Sequence, residues 1–346
     1  MWRVAVLLAW LGAAPVGRAF EAIYAFGDSL TDTGNNPAPA TGYYQGRYSN
    51  GPLWIEYLST QLGLAYEPTR NFAQSGGETT NALIQVQQFA APTNADRALF
   101  VVWAGGNDFI HNFSKGLDDG FWNALIFQSV GNLSNAVSQL YADGARTIVV
   151  PNQVDLSRIP LALDSGYPSF ALSYLRGKVD QFNTSLASAL SAIGQARPDL
   201  HLIPLDVHAP FNALLTNLTS YGFTKADPDA LTDSLLTDKS FDGPGKDYVF
   251  WDPIHPTTKA HAIVAQWFYQ ALPPVEPPLE RLSVGLVGGS LQLSLANLRS
   301  GQVYTLQSSS NLVDWGEATT ISATNSVQQW TTALGSAAQS FYRLTW

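Results

Sequence analysis

Between Phe20 and about Leu272, short apolar runs alternate with longer segments in which apolar residues recur at helical spacing. The runs "AIYAF" (22–26), "ALFVVWAG" (98–105), "RTIVVPNQ" (146–153) and "LHLIPLDV" (200–207) are rich in β-branched and aromatic residues and too short to be helices. They predict buried strands. "SNGPLWIEYLSTQLG", "TTNALIQVQQFAA", "NALIFQSVGNLSNAVSQLYADG" and "SYLRGKVDQFNTSLASALSAIG" lie between them and predict four helices. Strand and helix in alternation imply an α/β fold, a parallel sheet covered on both faces in three α/β/α layers. Reactive groups in such sheets gather beyond the carboxyl ends of the strands. Ser29, the "GGND" of Gly105 to Asp108, and Asn152 stand at such ends.

The proline cluster at 273–278 breaks this pattern and predicts a stiff linker after a domain of residues 20–272. Beyond the linker, apolar and polar residues alternate. "RLSVGLVGGSLQLSLANL" does so on both sides of Gly288-Gly289, a hairpin signal, and "VYTLQSSSNLVDW" and "SFYRLTW" continue it. Residues 279–346 therefore predict a small all-β module. At the other end, "MWRVAVLLAWLGAAPVGRA" joins a basic start to an apolar stretch and small residues. It predicts a signal peptide over 1–19 and a secreted protein, extracellular or periplasmic.

Composition narrows the function classes. The net charge of −9 becomes −11 once Arg3 and Arg18 are removed with that leader, so nucleic acid is not an expected partner. No later segment is apolar for long enough to predict an integral membrane helix. Cysteine is absent, which excludes disulfides and thiol chemistry. There is no H-E-x-x-H, and neither a metal nor a cofactor is expected.

A serine hydroxyl becomes a nucleophile when a base takes its proton, a carboxylate orients that base, and donors wait for the oxyanion. No G-x-S-x-G is present, so the α/β-hydrolase elbow is missing. Of five histidines, His255 stands in "DYVFWDPIHPTTKAH", three residues after Asp252, where the turn lets the carboxylate hold one ring nitrogen while the other faces a cleft. Thr257 or Thr258 can cap the next helix. "NFAQSGGETT" places paired glycines before a helix, where backbone N–H groups can approach a substrate oxygen, and "AGGND" offers the Asn107 amide. Asp28 and Asp32 flank Ser29 without a histidine of their own and suit turn stabilisation; Tyr43, Tyr44 and Tyr48 could wall an acyl chain.

Four blocks in one order, "FGDSLTDTGN", "NFAQSGGET", "AGGND" and "WDPIHPT", resemble those of the SGNH/GDSL hydrolases, a family of serine esterases, lipases and acyltransferases. "GRYSNGPLWIEYL" resembles a stretch in the branch of secreted lipases, haemolysins and acyltransferases. The resemblance implies a flavodoxin-like domain with Ser29 as nucleophile, His255 as base and Asp252 as its carboxylate. It implies an oxyanion hole from the N–H of Ser29, the Asn107 amide and a glycine N–H, Gly77 by the "ET" after it or Gly76 as second choice. Many members of that branch carry cysteines before the histidine block; here the loop 219–246 has none.

The expected function is a secreted serine esterase or lipase that cleaves carboxylic esters through an acyl-enzyme, its partner an ester of a lipid or an acylated carbohydrate. Two alternatives use the same scaffold: a carbohydrate acetylesterase whose β module contacts a polymer or surface, and a non-catalytic binding protein.

Overall fold

The computed structural model describes residues 20–273, 281–287, 290–296, 298, 302–324, 327–333 and 340–345. The expected signal peptide lies outside the described residues, as does the linker beyond Pro273. The chain divides into two compact units, one of Phe20–Pro273 and one that includes 274–346.

In the first unit, β1 (Ala22–Gly27), β2 (Ala98–Trp103), β3 (Thr147–Pro151) and β4 (His201–Leu205) form a parallel sheet in that order. Helices α1 (Trp54–Gln61), α2 (Thr79–Gln88), α3 (Gly106–Ile110), α4 (Asp119–Ala142), α5 (Pro160–Leu163), α6 (Ser169–Ala196), α7 (His208–Thr216) and α8 (Thr258–Ala271) complete it. Side chains alternate across a strand, so each strand feeds two cores. Ala22, Phe26, Phe100, Val102, Ile148 and Val150 face one way and join α2, α4 and α6. Ile23, Ala25, Leu99, Val101, Trp103 and Val149 face the other and join α1 and α8. All six β2 residues are buried, as a strand covered on both faces requires.

Three helices were not legible in the sequence: α3, α5 and α7 have five, four and nine residues, too few for a clear 3.6-residue period. A further segment resembles a strand only through its backbone. Asn71 bridges Ala25 in parallel, the Phe72 N–H donates to the Ala25 carbonyl at 2.8 Å, and the Gln74 N–H donates to that of Gly27 at 3.0 Å. The paired-glycine loop is thus laid beside the end of β1.

That end has no room for a side chain. Gly27 has φ +152°, and a Cβ there would stand 2.1 Å from the Trp103 carbonyl oxygen. Buried Gln85 on α2 holds the same residue twice, accepting from its N–H at 2.8 Å and donating to its carbonyl at 2.9 Å. The register of β1 on β2 and the exit direction of the chain toward Ser29 are set together.

The loop 219–246 has a small core in place of a disulfide. Ala230 and Leu236 bury against Tyr248 and Trp251, and the Asp233 carboxylate accepts from the Tyr248 hydroxyl at 2.8 Å and from Lys225 at 2.5 Å.

The second unit has two antiparallel sheets. β5 (Arg281–Val287), β6 (Ser290–Ala296) and β9 (Val327–Ala333) pair in that order; β10 (Phe341–Thr345), β7 (Val303–Ser309) and β8 (Gly316–Ser322) form the other. Val287 pairs with Ser290 across the two-glycine position. Leu295 of β6 shares a core with Tyr304 of β7, and Leu291 and Leu293 share another with Leu306. Trp315 lies beneath the Arg343 guanidinium, 4.2 Å from its ring centre, and its indole N–H donates to the Leu312 carbonyl.

Gly27→Ala is expected to lower stability by about 3 kcal/mol, because β1 must move off β2 to admit the methyl group. Urea unfolding monitored by tryptophan fluorescence measures this directly.

Candidate active site

Ser29 stands two residues beyond the end of β1. The Asp28 carboxylate accepts the Leu30 N–H at 3.0 Å, and the Asp28 carbonyl accepts from Thr31 and Asp32 at 3.0 and 2.9 Å. The turn is closed beneath the serine. Asp32 takes the N–H groups of Gly34, Asn35, Asn36 and Ser75 at 2.7 to 3.0 Å, with the Ser75 hydroxyl at 3.0 Å. Both acids therefore stabilise turns, and Asp32 also ties the serine loop to the paired-glycine loop.

His255 arrives from the opposite end of the domain. Its loop is pinned by the Trp251 N–H on the His255 carbonyl at 2.7 Å, by Ser49 on the Pro256 carbonyl at 2.9 Å, and by Thr257, which caps α8. Nδ1 of His255 lies 2.9 and 2.7 Å from the two carboxylate oxygens of Asp252, and Nε2 lies 2.8 Å from Oγ of Ser29. An ionised carboxylate only accepts, so Nδ1 carries the proton and Nε2 presents its lone pair to the serine hydroxyl. Burial alone would raise the Asp252 carboxyl. The charge and hydrogen bond of His255, with the N–H groups of Ile254 and His255, outweigh it and hold the group below the usual carboxylate range.

Asn107 sits in the first turn of α3 rather than in a loop, and donates from its side-chain amide to the Gly77 carbonyl at 3.0 Å. Asp108 beside it anchors that helix, accepting from the Thr79 N–H and hydroxyl at 2.9 and 2.6 Å and from Ser129 at 2.6 Å. The two glycines differ. The Gly77 N–H already donates to the Gln74 carbonyl at 3.0 Å, closing a turn in which Gly76 has φ +80°. Among the described residues, the N–H groups of Gly76 and Ser29 have no acceptor.

The remaining candidates have structural partners. Asn152 joins β3 to α7, donating to Asp206 and accepting from Val207 and His208. His111 pairs with Glu78 at 2.9 Å, and His208 lies against the Gln153 carbonyl at 2.9 Å. His261 is buried beside the site and driven down to about 3 by that burial and by His255, so it is neutral and no base at ordinary pH. Tyr43 and Tyr48 do not stand free as a wall: the Tyr43 hydroxyl donates to Asp252 at 2.9 Å, and the Tyr48 ring lies 4.8 Å from that of His255. Nothing in the spacing of the tyrosines signals either contact. Among the described residues no group of three or more His, Asp or Glu could hold a metal ion, and no helix is long and apolar enough to cross a membrane.

A GDSL-like lipase/acylhydrolase model matches residues 23–268. The chain belongs to that family. A GDSL esterase/lipase of Arabidopsis thaliana is 28% identical over 311 residues, covering 71% of this chain and 80% of its own. An acetylesterase of Thermothelomyces thermophilus is 29% identical over 273 residues, covering 70% and 84%. Membership makes this GDSL chain a hydrolase of ester bonds.

In this GDSL enzyme a pocket opens beside Ser29 and Asn107, holding roughly 680 Å³ of empty space, part of it open to solvent. Ile110, Leu156, Phe211 and Trp267 give it apolar walls. Asp28 also lines it, and its carboxyl is raised to about 7 by burial, against the opposing pull of the Leu30 N–H and His255. Between the ordinary carboxylate value near 4 and about 7 the unfolded chain is ionised there while the folded one keeps its proton. Stability from this group is thus full below that window, falls as pH rises through it, and levels off above. Asp28→Asn is expected to flatten the decline, which unfolding midpoints taken at intervals across the window will report.

Proposed function

We propose that this protein is a secreted serine esterase working through an acyl-enzyme, with Ser29 as nucleophile, His255 as general base and acid, and Asp252 as the orienting carboxylate. The single observation that carries the reading is the unbroken line from Asp252 through both nitrogens of His255 to the Ser29 hydroxyl, each gap 2.7 to 2.9 Å. Secretion rests on the N-terminal leader pattern in the sequence.

The Ser29 Oγ attacks the ester carbonyl while its proton passes to Nε2 of His255. The imidazolium that forms is held by the Asp252 carboxylate. The oxyanion is met by the Ser29 N–H, the Asn107 amide and a glycine N–H, that of Gly76 being free where that of Gly77 is engaged. Collapse expels the alcohol, which takes the proton from His255. Water then attacks the acyl-enzyme with the same histidine as base, and the acid leaves.

The apolar walls beside Ser29 suit an acyl chain longer than acetyl. Each buried methylene contributes about 0.8 kcal/mol, or roughly fourfold in kcat/KM. The second reading, removal of acetyl groups from a polysaccharide held by the β module, has the acetylesterase relative in its favour. In a p-nitrophenyl ester series the first reading predicts kcat/KM rising from acetate to at least butyrate; a peak at acetate, with activity on acetylated xylan, would select the second.

Ser29→Ala is expected to abolish turnover and labelling by a fluorophosphonate. Asn107→Ala should fold normally and lose about 10² to 10³ in kcat. Undiminished hydrolysis by purified Ser29→Ala would remove the assignment.

A further inference from the structure

Asp252 receives four donors. Three are local: the N–H of Ile254 at 2.8 Å and of His255 at 2.7 Å, both on Oδ1, and the His255 ring. The fourth is the Tyr43 hydroxyl, 2.9 Å from Oδ2 and 209 residues away in sequence. Among the described residues no other segment donates to this carboxylate.

Tyr43 is held in place by its surroundings. The Trp251 indole N–H donates to the Gly42 carbonyl at 2.7 Å, and the Tyr44 N–H donates to the Ser49 carbonyl at 2.9 Å. The Tyr43 ring packs 5.3 Å from Tyr48, whose ring in turn lies against His255. Loop 42–49 therefore clasps the histidine loop by backbone, ring and hydroxyl.

We propose that Tyr43 is a positioning residue for the site assigned above: its hydroxyl fixes the rotation of the Asp252 carboxylate and draws charge from Oδ2, setting how strongly that carboxylate holds the protonated imidazole. The inference rests on the assignment of Ser29, His255 and Asp252 as the reacting group. With the two backbone N–H groups on Oδ1, the hydroxyl on Oδ2 and the imidazole N–H within reach of both oxygens, the carboxylate plane has one orientation that satisfies all of them. A phenol donor also weakens the anion as a base, since hydrogen bonding favours the charged form. Burial and the neighbouring Asp252 push the Tyr43 phenol upward, so it stays a donor across the working range.

Other titratable groups surround the pair and its histidine: Asp28 from the serine turn and His261 from α8 act on His255, Asp229 from loop 219–246 on Asp252 and Tyr43, and Tyr48 on Tyr43 and His255. None of them is hydrogen-bonded to Tyr43 among the described residues, so replacing its hydroxyl alone changes the carboxylate and leaves these contacts in place.

Tyr43→Phe keeps the ring. In the full chain, with p-nitrophenyl butyrate, kcat is expected to fall about tenfold with KM within about twofold, the order seen when a hydrogen bond to a charged group is lost. The acid limb of the kcat/KM–pH profile should move to higher pH, because the more basic carboxylate holds the imidazolium more tightly. An unchanged acid limb and kcat in a variant with the parent's melting temperature would overturn the proposal. Should Tyr43→Phe fail to fold, a fluorinated tyrosine at position 43, a stronger donor, decides the matter: a limb displaced to lower pH supports the proposal, and an unmoved limb overturns it. Ser29→Ala is run beside these. If it matches the parent, the site assignment itself has failed, an outcome separate from an unmoved limb in an enzyme that Ser29→Ala silences.

Discussion

The approach of Gly27 to the Trp103 carbonyl is the constraint on which the arrangement around Ser29 depends. A strand that lies so close to its neighbour has one register, and the chain that leaves it has one direction. Gln85 fastens the same residue from α2, and Gln74 adds a bond to its carbonyl, so three segments meet at a single residue. Ser29 is presented from a closely packed strand end, where a small displacement is resisted by buried hydrogen bonds as well as by the turn itself.

The second anchor is built differently. His255 and Asp252 are joined to the serine loop through one side-chain hydrogen bond that closes 226 residues of chain, and their own loop is held by local turns, the cap of α8 and the clasp of loop 42–49. In the proposed mechanism the nucleophile stands at a rigid strand end and the base on a separately braced loop, and the two side chains meet at hydrogen-bond distance. Such a division suits a proton that must travel toward and away from the same imidazole in successive steps.

The four strands were legible because each is a short apolar run, buried on both faces in β2 and more open in β4, and the long helices because their stripes repeat over many residues. The segment Asn71–Gln74 was not, since only its backbone pairs with β1 and side-chain pattern carries no trace of that. Ser29, Asp252, His255 and Asn107 could be picked out because their blocks are contiguous stretches with chemical content; in the structure Ser29 and Asn107 line one cavity, and His255 and Asp252 are joined in line to Ser29. The sequence favours Gly77 with Gly76 second; in the structure the Gly77 N–H closes a turn while that of Gly76 has no acceptor among the described residues, a difference two adjacent glycines do not announce. Tyr43 was passed over as an aromatic of the wall because its partner lies 209 residues onward. Gln85 escaped notice for the same reason: a polar residue on a helix announces no partner.

The loop 219–246 is tethered by Lys225, Asp233 and Tyr248 over a few apolar side chains, in a chain without a single cysteine. Its attachment is therefore indifferent to thiols and oxidants, and responds instead to ionic strength and acidity. A polypeptide fastened in this manner needs no oxidative folding machinery and reaches its working shape equally well in reducing surroundings.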